Sequence, residues 1–81
     1  MIRKLKVKVA PKPVIKKHID TDFIRLDAFL KFCDVVGSGG MAKMIIQDGA
    51  VKVNGEICTS RGKKLRVGDS AEFENKIYTI E

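Results

Sequence analysis

The most constraining feature of this sequence is the close spacing of turn signals in the stretch "GSGGMAKMIIQDGAVKVNG", from Gly37 to Gly55. Glycine and asparagine recur at Gly37–Gly40, Gly49 and Asn54-Gly55. Both residue types tolerate the positive φ that helix ends and tight hairpins require. Elements in this region must therefore be short, and the pattern changes from helical before Gly49 to extended after it.

The segment before the glycine run is predicted to form an amphipathic helix. Apolar residues occupy the i, i+3, i+4 and i+7 positions of one buried face, namely Leu26, Phe29, Leu30 and Cys33. The acids and threonine at residues 20–22 are of the types that cap a helix N-terminus, where acids also suit the helix dipole. We expect the helix to begin there and to end at the first glycine.

A second, shorter helix is predicted directly after it. Ser38 can cap its N-terminus, and Gly49 supplies a C-terminal stop. Ala42, Ile45 and Ile46 then form the inward stripe, and the small side chain of Ala42 suits a close approach to the first helix.

From Ala50 onward the sequence alternates as strands do, with turns at Asn54-Gly55, at Gly68-Asp69 and near Asn75-Lys76. An earlier strand is expected at Val14–Ile19. The apolar positions assigned to the later strands are Val51, Val53, Ala71, Phe73, Ile77 and Ile80. The predicted fold class is α+β, with two short packed helices followed by a small antiparallel sheet.

The 81 residues are enough for one small domain, and their net charge of +6 is unevenly distributed. The whole excess lies in residues 1–21, whereas residues 22–81 carry nine basic and nine acidic groups. We interpret residues 1–13 as a basic arm, flexible or an edge strand, and residues 14–81 as the folded domain. Such an arm is typical of contact with a polyanion, and the alternative is that it only promotes solubility.

Catalysis is not expected from this inventory of side chains. His18 is the only histidine, and neither Cys33 nor Cys58 has it nearby in sequence. A zinc site would need about four ligands. The glycine run also lacks the GxxxxGK[ST] spacing of a phosphate-binding P-loop. We predict a protein without enzymatic activity, cofactor or metal.

The sequence also bears on the compartment. No apolar run approaches the ~20 residues that span a bilayer, and the N-terminus has no continuous apolar core of a secretory signal. Two isolated cysteines suit a reducing environment. We therefore expect a cytoplasmic protein that does not engage a membrane.

Nucleic acid is the partner that the basic residues favour. Arg61, Lys63, Lys64 and Arg66 occur with no acid between Cys58 and Gly68. If the sheet folds back on the helices, further cations could join them on one face: Arg25, Lys31, Lys43 and Lys52. Such a cluster would contact phosphates without reading bases, and the alternative is a solvated charged loop. With a single tyrosine, Tyr78, no aromatic platform for unpaired bases is evident.

Three stretches together resemble the S4-type RNA-binding domain, also called the αL motif: "RLDAFL" at Arg25–Leu30, the spaced pattern from Ser38 to Gly55, and "VGDSAEF" at Val67–Phe73. The likeness is greatest to small stand-alone bacterial members, the YaaA/YbcJ-like group. It implies helices at Arg25–Val36 and Gly40–Asp48. It also implies a monomer that binds structured ribosomal or transfer RNA through Arg25, Lys31, Lys43, Lys52, Arg61, Lys63 and Lys64.

One position departs from the family pattern. Many members carry Ser-Arg at the start of the second helix, where the arginine approaches phosphate, whereas this chain has Ser38-Gly39. Lys43 or bare backbone N–H groups could replace that contact, because a helix N-terminus attracts anions.

Two other classes of protein remain open. "VKVNGEI" and "VGDSAEF" also occur in β-grasp sulfur carriers, but a carrier needs a terminal Gly-Gly and this chain ends in "YTIE". A protein-interaction module within a ribosome-associated assembly is the further alternative.

Overall fold

The computed structural model describes residues 12–81. The predicted basic arm therefore lies outside the described residues, apart from Lys12 and Pro13. The elements are, in chain order, β1 (Val14–Lys17), β2 (Ile24–Arg25), α1 (Leu26–Phe32), α2 (Gly39–Gln47), β3 (Lys52–Val53), β4 (Glu56–Ile57), β5 (Lys64–Leu65), β6 (Ser70–Phe73) and β7 (Lys76–Ile80).

Two sheets are present among these residues, and the architecture is α+β as predicted. The larger sheet has the strand order β1-β7-β6-β3-β4, and the smaller one pairs β2 with β5. The predicted order of helices followed by a purely antiparallel sheet is incomplete, because β1 and β2 precede α1 and β1 runs parallel to β7. Val14 lies opposite Ile77 and Lys17 opposite Ile80 in this parallel pair.

Helix α1 is shorter than predicted at both ends. It starts at Leu26, and its N-cap residue Arg25 makes no side-chain capping hydrogen bond, so the predicted caps at residues 20–22 are wrong. The helix ends at Phe32, and Asp34 adopts a φ of 58°. A residue in the left-handed conformation directly after the last turn cannot continue a helix, so α1 ends before Gly37 and not at this glycine.

Helix α2 confirms the predicted cap and stop. The hydroxyl oxygen of Ser38 accepts a hydrogen bond from the Met41 N–H at 3.2 Å. Gly49 follows the helix with a φ of 79°, which a residue with a side chain rarely adopts. Ala42 and Ile46 are fully buried, and Ile45 packs against the same core.

The core lies between the helix pair and the larger sheet. Its largest fully buried side chains are Phe29, Leu26, Leu30, Ile46, Leu65, Ile80 and Val51. On β7 the inward residues are Tyr78 and Ile80, whereas Ile77 is only half-buried. Both predicted apolar positions of this strand lie on β7, and Ile80 is the one that shares the inward face with Tyr78, because alternate residues of a strand share a face.

The hairpin turns are placed close to where the sequence predicts them. Asn54 and Gly55 adopt φ values of 50° and 88° between β3 and β4. The β6–β7 turn uses Glu74 and Asn75, with φ values of 51° and 65°, one residue earlier than predicted. Tight hairpins favour positive φ at both central residues because that twist matches the twist of the strands.

Candidate nucleic-acid interface

The basic segment at residues 61–66 is held against the start of α1 by backbone hydrogen bonds. The Leu26 N–H donates to the Lys63 carbonyl oxygen at 2.8 Å, and the Asp27 N–H donates to the Arg61 carbonyl oxygen at 3.1 Å. The first N–H groups of a helix have no acceptor within it, and these carbonyls replace the missing side-chain cap. The contact fixes the backbone of Arg61 and Lys63 at this helix end.

The β2–β5 pair brings further cations to the same place. Arg25 lies opposite Lys64 in the antiparallel register. The Arg25 guanidinium also contacts the Asp27 carboxylate at 3.0 Å. At Gly62, a Cβ atom would lie 3.9 Å from the Arg25 guanidinium, so the segment passes close to this side chain. We use the name basic cluster for the residues gathered here: Arg25, Arg61, Lys63, Lys64 and Arg66.

An aromatic side chain that sequence reasoning missed lies within this cluster. The Lys64 ammonium is 4.9 Å from the centroid of the Phe23 ring, and the Arg66 guanidinium carbon is 5.9 Å from it. The usable signal was the alternation in "FIRL" and "KLR", which, continued one residue before β2, places Phe23 on the same side as Arg25. The stretches were too short for that pattern to be distinctive.

A shallow depression of about 300 Å³ adjoins the cluster and is lined by Arg25, Asp27, Ala28, Lys31 and Gly39. Two of the predicted cations and the start of α2 therefore lie around one concave surface. Ala28 is exposed and small, so the backbone of α1 is accessible there. Lys43 is exposed one helical turn after Gly39, hence on the same side of α2.

The start of α2 has room for a ligand or a side chain. A Cβ atom built at Gly39 meets nothing within 4 Å. The first N–H groups of this helix, at Gly39 and Gly40, have no acceptor within the helix and lie at its positive end. Ser38 is occupied by capping, so its role in the structure is local.

Lys52 is placed apart from the other predicted cations. It lies on β3 opposite Glu72 of β6, in the larger sheet. Glu72 also forms an ion pair with Lys12. The hydrogen bond from Lys12, aided by the charges of Lys12 and Lys52, lowers the pKa of the Glu72 carboxyl. Lys52 thus faces an acidic partner.

The cations near α1 and α2 differ in this respect. Among residues 12–81, the ion pairs are Lys12–Glu72, His18–Asp20 and Arg25–Asp27. Of the predicted site cations, only Arg25 appears in this set. The following remain without a carboxylate in salt-bridge contact in that part of the chain, and all are exposed: Lys31, Lys43, Lys52, Arg61, Lys63, Lys64 and Arg66. Of these, Lys52 is the one that lies opposite a carboxylate, that of Glu72, in the strand register.

Comparison with known families now decides what kind of domain carries these groups. The family model of the S4 domain matches residues 17–81 of this chain. The chain belongs to the S4 domain family. The chain is also similar to the probable ribosome maturation protein RlbA of Bacillus subtilis strain 168, with 52% identity over 56 residues, covering 69% of this chain and 79% of the relative. This membership favours the S4 resemblance over the β-grasp alternative.

In this S4 domain, the stretches "VNG" and "VGD" are joined by side-chain hydrogen bonds. The Asn54 amide nitrogen donates to Asp69 Oδ1 at 3.1 Å, and the Ser70 N–H donates to Asn54 Oδ1 at 3.0 Å. The other Asp69 oxygen accepts from the Arg66 N–H at 2.8 Å. That bond is the main reason why the pKa of Asp69 lies below its usual value. These residues position the end of β5 and hence Arg66.

The remaining side chains that could take part in catalysis or metal binding are the cysteines and the acidic residues. Burial raises the pKa of the Cys33 thiol to about 11, so this side chain is neutral and packs as an apolar group. Within residues 12–81, no three His, Cys, Asp or Glu side chains come together as metal ligands would. None of the helices of the S4 domain in that range is long and apolar enough to cross a membrane.

Proposed function

We propose that this protein binds structured ribosomal RNA and acts in ribosome maturation without catalysing a reaction. The contact surface is the basic face, which we define as the basic cluster together with Lys31 and Lys43. Membership of the S4 domain family and similarity to a probable ribosome maturation protein support this function. The basic arm of residues 1–13 would add attraction that does not depend on RNA sequence.

The observation that carries the proposal is the juxtaposition of like charges on a fixed scaffold. Arg25 lies directly opposite Lys64 on adjacent strands. Like charges in that position destabilise a sheet. The nearby carboxylate of Asp27 contacts Arg25, and Lys64 has no such partner within residues 12–81. An anionic ligand would relieve this repulsion, and phosphate groups of RNA have the required charge.

The geometry favours recognition of RNA by its backbone. The cations lie on a helix pair and a sheet edge whose positions are fixed by backbone hydrogen bonds. The depression between Arg25, Lys31 and Gly39 is a suitable place for one phosphate, which the α2 N–H groups would also attract. Double-stranded RNA is recognised mainly by shape and by contacts to phosphate and 2′-hydroxyl groups.

Filter binding to ribosomal RNA fragments over a series of salt concentrations tests the proposal. Each phosphate contact contributes roughly −0.7 to −0.9 to the slope of log affinity against log salt. The double variant Lys63→Glu/Lys64→Glu should bind about 100-fold more weakly at low salt, with the slope reduced by about 1 for each lysine. Both side chains are exposed, so the fold should persist in circular dichroism.

The matched control is Lys16→Glu/Lys76→Glu, which makes the same change of net charge at two exposed lysines of β1 and β7 outside the basic face. It should retain affinity within about threefold, because it alters the net charge without removing a contact. If the control and the double variant lose RNA affinity equally, RNA is attracted by the net charge of the protein and not bound at the basic face. If the protein binds transfer RNA more tightly than ribosomal RNA, the proposed target is wrong and transfer RNA takes its place.

A protein-interaction module is distinguished by the same variants. If the double variant keeps its association with ribosomal particles but binds no free RNA, the contact is with protein. We propose a monomer, which light scattering of the free protein would verify from the 9.0 kDa chain mass.

A further inference from the structure

The smaller sheet has an inner and an outer face, and its register assigns side chains to each. Ile24 lies opposite Leu65, and Arg25 lies opposite Lys64. Leu65 is fully buried and Ile24 packs against the core, so that pair faces inward. Because side chains alternate along a strand, Arg25 and Lys64 face outward. Phe23 and Arg66 flank the two short strands, and the contacts of the Phe23 ring with Lys64 and Arg66 place them on the same side. We call these four residues the outer face.

Phe23 is an exposed aromatic residue among cations. Its side chain remains 38% exposed, and the Thr21 hydroxyl donates to its carbonyl oxygen at 2.8 Å, which fixes the backbone there. Phe32 is also exposed, but its ring stacks on Phe29 with centroids 6.5 Å apart. The neighbours of the Phe23 ring are instead Lys64 and Arg66.

This combination matches what an unpaired nucleotide needs. Surfaces that bind single-stranded nucleic acid place aromatic rings for the bases beside cations for the phosphates. A cation lying over an exposed ring is held weakly, whereas its contact with a phosphate is a charge-assisted hydrogen bond. Phosphates would therefore draw Lys64 and Arg66 from the ring and leave its face free for a base.

We propose that the outer face of the β2–β5 sheet binds an unpaired nucleotide, with its base stacked on Phe23. Arg25, Lys64 and Arg66 hold the adjacent phosphates. This inference rests on the proposed function and specifies the class of RNA. The target is a helix interrupted by an unpaired nucleotide, in contrast to a continuous duplex, and Phe23 is the residue that distinguishes the two.

Two short RNA hairpins test the preference, each closed by a flexible non-nucleotide linker so that neither has unpaired bases in a loop. One carries a single bulged adenosine in its stem, and the other has the same stem without interruption. The wild-type protein should bind the bulged hairpin about 5- to 100-fold more tightly, the range expected for one base stacked on an aromatic side chain. Phe23→Leu, which keeps apolar bulk without a ring, should remove this preference, so that the variant binds the two hairpins with equal affinity.

A fluorescence measurement reports stacking directly. The chain contains no tryptophan, so Phe23→Trp introduces a unique emission signal. The bulged hairpin should quench this emission strongly, and the uninterrupted hairpin should not. Phe32→Trp is the matched control, because it places the same reporter at another exposed phenylalanine on α1 outside the outer face. The emission of Phe32→Trp should be the same with the bulged and the uninterrupted hairpin.

The outcomes separate this inference from the proposed function. If the wild-type protein binds neither hairpin nor ribosomal RNA, the proposed function has failed. If it binds both hairpins equally, RNA binding stands and the inference is overturned. A Phe23→Leu variant that loses affinity for both hairpins alike would also overturn it, since Phe23 would then only position Lys64 and Arg66.

Discussion

On the five-stranded sheet, Lys52 lies opposite Glu72, and Lys12 forms an ion pair with the same carboxylate. On the two-stranded sheet, Lys64 lies opposite Arg25. Both sheets expose lysines, but Lys52 lies opposite an acid across its strand pair, whereas Lys64 lies opposite another cation. Net charge therefore does not locate an interface in this chain, since the charges of residues 22–81 sum to zero. The proposed interface lies instead where cations face one another, as Arg25 and Lys64 do.

The largest expected effect is on stability, at the residue that connects the two regions. Asp69 accepts hydrogen bonds from Arg66, at the end of β5, and from Asn54, in the β3–β4 hairpin. Asp69→Ala should lower the free energy of unfolding by about 1–3 kcal/mol, because two donors lose their acceptor. Urea denaturation measures this, with the exposed Asp22→Ala as control. An effect no larger than that of the control would show that the two regions are held together by other contacts.

The contribution of Asp69 to the free energy of unfolding should also decrease as the pH falls. Hydrogen bonding to the Arg66 N–H lowers the pKa of Asp69 in the folded state. Its stabilisation is therefore complete above the unfolded pKa of about 3.9 and is lost as the pH falls through the lower folded value. The difference between wild type and Asp69→Ala should thus shrink below about pH 4. A difference that grows on acidification would contradict the assigned role.

The next effect in size concerns the start of α2, where the basic face could be extended or blocked. Gly39→Arg should tighten RNA binding and Gly39→Asp should weaken it, each by about 3- to 10-fold, through one added charge beside the depression. Neither side chain meets an obstacle, because the space around Gly39 is open. Competition filter binding measures both, with Gly39→Ala as the uncharged control. Equal affinities for all three variants would show that Gly39 is only a helix connection.

The smallest effect is expected on the five-stranded sheet. Lys52→Ala should change RNA affinity by less than about twofold, because Lys52 already faces Glu72. Lys31→Ala is the matched comparison on the basic face and should cost about 3- to 10-fold. A larger loss at Lys52 than at Lys31 would reverse the contrast between the two sheets and extend the interface across β3.

Local signals predicted much of the fold. Ser38 and Gly49 marked the ends of α2, and Asn54-Gly55 marked the β3–β4 hairpin, because each conformation depends on the residues at that position. The start of α1 was mispredicted because its N–H groups are satisfied by carbonyls of Arg61 and Lys63, far away in sequence. The parallel β1–β7 pair is equally non-local.

The sequence predicts which kinds of residue form the candidate site, but not how these residues are arranged in space. Sequence proximity grouped Arg61, Lys63, Lys64 and Arg66, and Arg25 was expected to join them if the sheet folds back on the helices. The β2–β5 register shows how Arg25 comes to lie beside Lys64. Lys52 was grouped with them because the sequence does not state which sheet edge it faces. Phe23 was missed because β2 has only two residues, too few for an alternation to be recognised.

The hydrogen bonds from Leu26 and Asp27 to the basic segment have a consequence for dynamics. Binding loops are usually among the least stable parts of a protein and open independently of its core. Here, detaching residues 61–63 would expose the first amides of α1 and loosen Leu26, which is fully buried. We therefore expect the basic segment and the start of α1 to open together as one cooperative unit. A ligand that holds the basic segment must, by thermodynamic reciprocity, also protect the helix from unfolding.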